Sequence, residues 1–309
     1  WLQIFPIQFI LIITKDYLSH MTNKARLEQG QAEQLDQYYT SPEYALNFYA
    51  TVNNVIDLSK ADIILEPSAG TGNFLTLFDP SKRIGLDLDP KFPGIMQQDF
   101  LKWDPPLGKH IATIGNPPFG KNANLAVKFF NHSAKFSQSI SFIVPRTFRK
   151  SSIINRLDPS FHLIHDETVP DYSFLFNNKP YNVWCCAQVW IKKTVPREKN
   201  KIFKFNDVKK WFEVVEPECA DFSVQRVGGR AGLIRTEDFR KYSRQSHYFI
   251  KQHNPRVIEI FKQINFDCVK DNTAGNPSVS PSELIELWLS KAVELNLIDV
   301  NNPFPFKIE

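Results

Sequence analysis

The stretch His110-Ile111-Ala112-Thr113-Ile114-Gly115-Asn116-Pro117-Pro118-Phe119-Gly120 decides how this chain is read. Residues 110–115 form a short apolar run without alternation, the pattern of a parallel strand buried on both faces. Two consecutive prolines follow, which fix their own φ angles and offer carbonyls without amide donors. Asn116 adds a side-chain oxygen beside them, and Phe119 an aromatic face. In open α/β sheets, ligands bind outside the carboxyl ends of the strands, which is where this tetrapeptide is expected. The group suits a planar amine. The Asn oxygen and a proline carbonyl would accept its two N–H bonds, while the ring stacks on its π-face.

Outward from this stretch, similar apolar runs occupy 62–66, 83–89, 94–99 and 139–145, and residues 161–165 and 183–193 could add later strands. Between them lie helical patterns. Tyr44, Ala45, Phe48, Tyr49, Val52 and Ile56 recur at helical spacing behind the capping sequence Thr40-Ser41-Pro42-Glu43, which predicts a helix over 42–58. Residues 122–136 read as a crossover helix. Such alternation predicts an α/β fold with a doubly wound, Rossmann-like sheet. Residues 193–210 are charged and poorly patterned and read as a link, and 280–295 read as a helix beyond it. The expected division is therefore a core at 21–195 and a smaller region at 196–309.

Two more signals flank the tetrapeptide. Glu66-Pro67-Ser68-Ala69-Gly70-Thr71-Gly72-Asn73-Phe74 follows a predicted strand directly, and its glycines let backbone approach a ligand closely. The dinucleotide fingerprint GxGxxG fails there, because Leu75 stands where its third glycine belongs. Asp87 ends the next strand, where an acid can hold a ribose diol by charge-assisted hydrogen bonds.

Composition narrows the classes. The chain has 309 residues, 42% hydrophobic and 23% charged, so it can bury a sizeable core and wholesale disorder is excluded. Its four cysteines include no CxxC pair, which argues against a disulfide scaffold or a zinc site. Residues 1–14 carry no charge, but a membrane span needs about 18 or more such residues. They also lack the basic start and small-residue end of a secretion signal, so a cytoplasmic location is expected for a bacterial or phage protein. The first methionine is Met21, before a polar stretch. Translation is expected to start there, with residues 1–20 a non-native leader.

In this order the motifs resemble the S-adenosylmethionine-dependent amino-methyltransferases, in particular the gamma arrangement of DNA adenine-N6 methyltransferases. The family's [D/N]-P-P-[Y/F/W] tetrapeptide falls on Asn116, Pro117, Pro118 and Phe119, which the resemblance makes catalytic. Its glycine turn falls on Glu66, Pro67, Ala69, Gly70, Gly72 and Phe74, and its ribose acid on Asp87. Asp99 and Phe100 match the segment that contacts the cofactor's adenine. Tyr39-Thr40-Ser41-Pro42-Glu43 resembles the amino-terminal cofactor segment, with Ser41 standing where the family usually has proline. The resemblance covers roughly residues 36–193. It implies S-adenosyl-L-methionine as cofactor, no metal, DNA as the preferred nucleic-acid partner, and a separately encoded cognate restriction endonuclease. It also makes Phe174 and Phe176 candidates for a second aromatic wall, with core packing as their alternative.

Residues 222–262 carry nine basic side chains against three acidic, although the whole chain nets only +4. Glycines accompany these arginines, so backbone and guanidinium groups can approach phosphates together, and Arg226, Arg230, Arg235 and Arg244 are the candidate contacts. The alternatives are an RNA adenine-N6 or guanine-N2 methyltransferase, and an inactive nucleic-acid-binding subunit with this fold.

Overall fold

The computed structural model describes residues 38–297, so the readings placed on residues 1–20 and Met21 lie outside the described residues. Strand β1 (Tyr39–Thr40) leads into helix α1 (Pro42–Val55). Ser41 Oγ accepts the Tyr44 N–H at 3.2 Å and Pro42 takes the first turn, so the cap forms as its sequence predicts. The helix stops short of residue 58 because Ile56 turns extended and Asp57 caps a separate 3-10 turn at Leu58–Lys60.

The apolar runs become β2 (Ile63–Glu66), β3 (Arg83–Asp87), β4 (Met96–Gln97) and β5 (Ile111–Gly115). Helix α2 (Asn124–Ser133) then leads to β6 (Ser137–Pro145), the short α3 (Ser151–Ile154) and β7 (Phe161–Thr168). A hairpin of β8 (Phe174–Phe176) and β9 (Lys179–Tyr181) precedes β10 (Cys185–Lys192). Seven strands form one sheet in the order β4-β3-β2-β5-β6-β10-β7. The first five run parallel, and β10 is antiparallel to both neighbours. This is the predicted α/β class with a mixed central sheet.

Two details depart from the sequence reading. The connections β2–β3 and β4–β5 carry only single 3-10 turns, at Leu75–Leu77 and Phe100–Lys102, so helices alternate with strands less regularly than expected. Helix α2 begins at 124 because Asn122 and Ala123 adopt left-handed φ values of 55° and 58°.

Side-chain alternation sorts the sheet's residues between two layers. Ile140, Phe142 and Val144 pack with Phe130 of α2, while Ile143 and Ile114 pack with Phe48 and Val52 of α1. The hairpin turns on Asn177 and Asn178, both with positive φ, the residue type and geometry of a tight hairpin turn. Strand β1 pairs antiparallel with β8, Tyr39 opposite Leu175 and Thr40 opposite Phe174.

A second hydrophobic core lies beyond residue 204. It is built on a four-stranded antiparallel sheet of β11 (Phe212–Val214), β12 (Phe222–Gln225), β13 (Ile234–Arg235) and β14 (His247–Gln252), in the order β11-β14-β12-β13. Helices α4 (Arg256–Phe261), α5 (Asp267–Lys270) and α6 (Pro281–Glu294) complete it. Lys150 Nζ meets Glu283 Oε2 at 3.0 Å, joining this unit to the start of α3. No helix among the described residues is long and apolar enough to cross a membrane.

The second core depends on aromatic packing. Trp288 is fully buried, its ring 5.1 Å from that of Phe212 and 5.5 Å from that of Trp211. Replacing Trp288 with Ala should cost about 3–5 kcal/mol of unfolding free energy, from lost transfer energy and the cavity left behind. Guanidinium denaturation of the full chain would measure it.

Candidate active-site cleft

From β2 the chain proceeds through β3 and β4 in one direction, and from β5 through β6 in the other. A crevice opens where the direction reverses, between the carboxyl ends of β2 and β5. A cavity of about 590 Å³ lies there, and Tyr39, Thr40, Glu66, Pro67, Ala69, Gly70 and Phe74 line one part of it. Asp87, Asp99, Phe100, Asn116, Pro117, Pro118 and Phe119 line the remainder. Segments far apart in sequence thus meet at one site.

Gly72 is the exception. It does not line the cavity; a Cβ there would fall 2.9 Å from the Phe92 ring. With φ of 77°, and its N–H bonded to the Ala69 carbonyl, it shapes the turn. Gly70 does face the cavity. Its φ is 47°, and a Cβ would sit 2.7 Å from Tyr39 Cε1, so the Tyr39 ring covers bare backbone.

The acidic end is fixed by backbone amides. Asp87 Oδ2 accepts from Gly70 N at 2.7 Å, and Oδ1 from Asp89 N at 2.8 Å. Burial, with the charges of Asp87 and Asp89, pushes the Tyr39 phenol up to about 12. Glu66 is only 4% exposed and its Oε2 accepts the Leu75 N–H at 2.8 Å. Burial drives its carboxyl well above the usual range; the Leu75 hydrogen bond opposes this and the Asp87 charge reinforces it. Asp99 caps the turn at Phe100–Lys102 by accepting from Leu101 N at 3.0 Å.

At the other end, Asn116 Nδ2 donates to the Tyr38 carbonyl at 2.8 Å, and Ser68 Oγ donates to the Asn116 carbonyl at 3.0 Å. Asn116 Oδ1 is buried without a hydrogen-bond partner, and so is Thr40 Oγ1. Buried polar atoms are nearly always satisfied, so two orphans in one cavity point to a missing partner, which for the Asn116 oxygen is a donor. Asn73 Nδ2 reaches the Thr40 carbonyl. The Tyr38 ring stacks on Tyr181 at 5.3 Å and 10° and lies 5.7 Å from Phe176. Phe174 is fully buried in the core, whereas Phe176 belongs to this aromatic group.

Tyr38, Ser68 and Asn73 therefore join the site without having been singled out in the sequence. Ser68 and Asn73 sit inside the glycine turn and could have been included with it. Tyr38 acts through its backbone carbonyl, for which side-chain patterns give no signal.

The basic stretch is less free than its charge count suggests. Arg244 is paired with Glu216, and Arg240 donates to the Ala220 carbonyl. Arg235 stacks on Tyr242 at 4.8 Å, and Arg226 lies over Tyr248 at 5.5 Å. Both Arg226 Nε and Arg235 Nε are buried without partners. Arg230 is exposed.

No protein-family model and no curated protein matches the chain. Among solved structures, a Pyrococcus horikoshii protein assigned as an RNA methyltransferase is similar at 16% identity and a TM-score of 0.44, covering 59% of this chain and 98% of its own. A 23S rRNA methyltransferase is similar at 16% identity and TM-score 0.38, covering 53% of this chain and 73% of its own. A type I restriction-modification methyltransferase subunit from Streptococcus thermophilus matches at 15% identity and TM-score 0.36, covering 51% of this chain and 45% of its own.

The buried Glu66 yields a pH prediction. Its folded pKa lies above the ordinary 4.5, so between the two values the folded state holds a proton that the unfolded state has lost. Its contribution to stability is complete below the unfolded value and declines as pH rises through the folded one. Glu66→Gln keeps an acceptor for Leu75 N and removes this titration. Relative to wild type, the variant should gain stability as pH rises from about 4.5 toward neutrality. Melting temperature against pH for both proteins checks this, and parallel curves would refute it.

Proposed function

We propose that the protein is an S-adenosylmethionine-dependent methyltransferase acting on the N6 amine of adenine in DNA. The observation that carries this reading is the Asn116 side chain: its nitrogen is committed to the Tyr38 carbonyl, and its buried oxygen has no donor. An exocyclic amine supplies that donor.

The cleft fits the cofactor class on its own features. Asp87 keeps lone pairs beyond the two amides it accepts, and can receive ribose hydroxyls. Gly70 leaves bare backbone under Tyr39, and the orphan Thr40 Oγ1 lies on the same wall. Phe100 and Leu101 offer apolar surface beside Asp99. When bound, the cofactor supplies an electrophilic methyl group on a sulfonium.

The remaining work falls to the chain. An exocyclic adenine nitrogen is a poor nucleophile because its lone pair is conjugated into the ring. Asn116 Oδ1 accepts one amine hydrogen, and the Pro117 carbonyl is the second acceptor. Held by both, the amine pyramidalises and its lone pair localises. Phe119 gives the base an aromatic face. Preorganised acceptors in a water-poor cleft account for the acceleration through alignment and electrostatics. DNA rather than RNA is supported by the resemblance in motif order.

Labelled-methyl transfer onto DNA, RNA and protein, followed by product digestion, should yield N6-methyladenine from DNA. Methylated guanine or glutamine would overturn the reading. Asn116→Ala should lower kcat on the order of 10²-fold or more, the scale for losing one oriented hydrogen-bonding group. S-adenosylmethionine affinity by calorimetry should stay unchanged, because this oxygen serves the amine.

A further inference from the structure

We propose that the outer face of α2 is a phosphate track for the DNA strand that delivers the target base. This rests on the methyltransferase reading above and places its substrate outside the C-terminal unit. A shallow groove of about 470 Å³ runs along α2 and shares Leu101 with the cleft as a common wall. The helix is two-sided. Leu125 and Phe129, four residues apart, line the cleft, whereas Asn124, Lys128 and Asn131, at i, i+4 and i+7, line the groove. Lys135, just past the helix, continues that stripe, and Arg156 faces it from the turn after α3. Lys121 stands at the cleft end.

The cations on this face stand apart from any carboxylate, unlike lysines 60, 91, 102, 150, 262, 270 and 291, each of which pairs with one. Lys121, Lys128, Lys135 and Arg156 form no ion pair among the described residues, and no carboxylate lines the groove. The contacts they do make are with neutral groups. Arg156 Nη2 donates to Asn124 Oδ1 at 2.6 Å. His132 Nε2 lies 2.9 Å from the Trp103 carbonyl, which can only accept, so Nε2 carries a proton and Nδ1 is left to accept from Lys135 Nζ at 3.4 Å. A buried histidine thereby holds an ammonium at the groove.

The spread of charge identifies the ligand. At a rise of 1.5 Å per residue, Lys128 and Lys135 stand about 10 Å apart along the helix direction. Cations arranged in a line rather than around a point suit a polyanion better than a single phosphate. One DNA strand carries a phosphate every ~3.4 Å of duplex axis, so this span meets about three. The track ends at the cavity that holds Asn116, so a strand lying along it passes the site of chemistry.

The test is salt-dependent binding of a fluorescent random-sequence DNA duplex to the full chain, which needs neither a recognition sequence nor turnover. Lys128→Gln with Lys135→Gln should reduce the slope of log affinity against log salt by about 1.8, two phosphates at about 0.9 each. Melting temperature and S-adenosylmethionine affinity should not move. Lys128→Arg with Lys135→Arg should restore the slope, because charge is what is read. A folded double Gln variant with an unchanged slope would overturn the proposal. So would a loss on Arg230→Gln in its place, or a loss seen with RNA duplex and not with DNA. Failure of the methyltransferase reading is distinguishable: wild type would bind the duplex with the same slope yet transfer no methyl group.

Discussion

The cleft's chemistry turns on the hydrogen bond from Asn116 Nδ2 to the Tyr38 carbonyl. A peptide carbonyl can only accept, so the amide must present its nitrogen there and its oxygen the other way. That carbonyl is placed in turn by the pairing of β1 with β8, by the bond from Ser41 N to the Ser173 carbonyl at 2.8 Å, and by the stack of Tyr38 on Tyr181. The residue just ahead of a two-residue strand thus orients a side chain 78 positions away. An unsatisfied buried acceptor costs about 1–3 kcal/mol, and a ligand that brings a donor relieves that cost. Ligands without one gain nothing there, so this oxygen selects for a ligand that brings a donor.

Strand β1 reaches the other end of the cleft as well. The Tyr39 ring lies on Gly70, and the Thr40 carbonyl receives Asn73 Nδ2 from the far side of the glycine turn. The Gly70 amide in turn holds Asp87. One extended segment therefore touches both the wall that carries Asp87 and the wall that carries Asn116. Loss of the β1–β8 pairing would disturb both walls together.

Much of this was readable because its causes are local. Apolar runs without alternation mark the central strands, and Asp87 and Asn116 stand at their carboxyl ends. What escaped depends on tertiary placement. Gly70 and Gly72 look equivalent in sequence, and both need positive φ, but Phe92, twenty residues later, takes the space beside Gly72 and leaves Gly70 facing the cleft. Tyr38 escaped because its contribution is a carbonyl oriented by a strand partner far along the chain. The start of α2 at Asn124 is not marked in the apolar pattern, because left-handed backbone at Asn122 and Ala123 leaves no apolar signature.

Charge was the least legible property, for a physical reason. Counting residues 222–262 excludes Glu216, which neutralises Arg244 from outside the window, and it ignores the rings that cover Arg226 and Arg235. A run of basic residues thus overstates the field it produces wherever an acid outside the run pairs with one of its members. Around α2 the opposite holds. Its cations are separated by apolar residues that face the core, so the sequence reads as an ordinary amphipathic helix with a solvated face. The field there is the sum of charges that found no partner after folding, and that sum is a property of the tertiary structure. A polyanion follows that unpaired sum rather than the composition. The surface beside the cleft is thus one place where this fold leaves positive charge uncompensated.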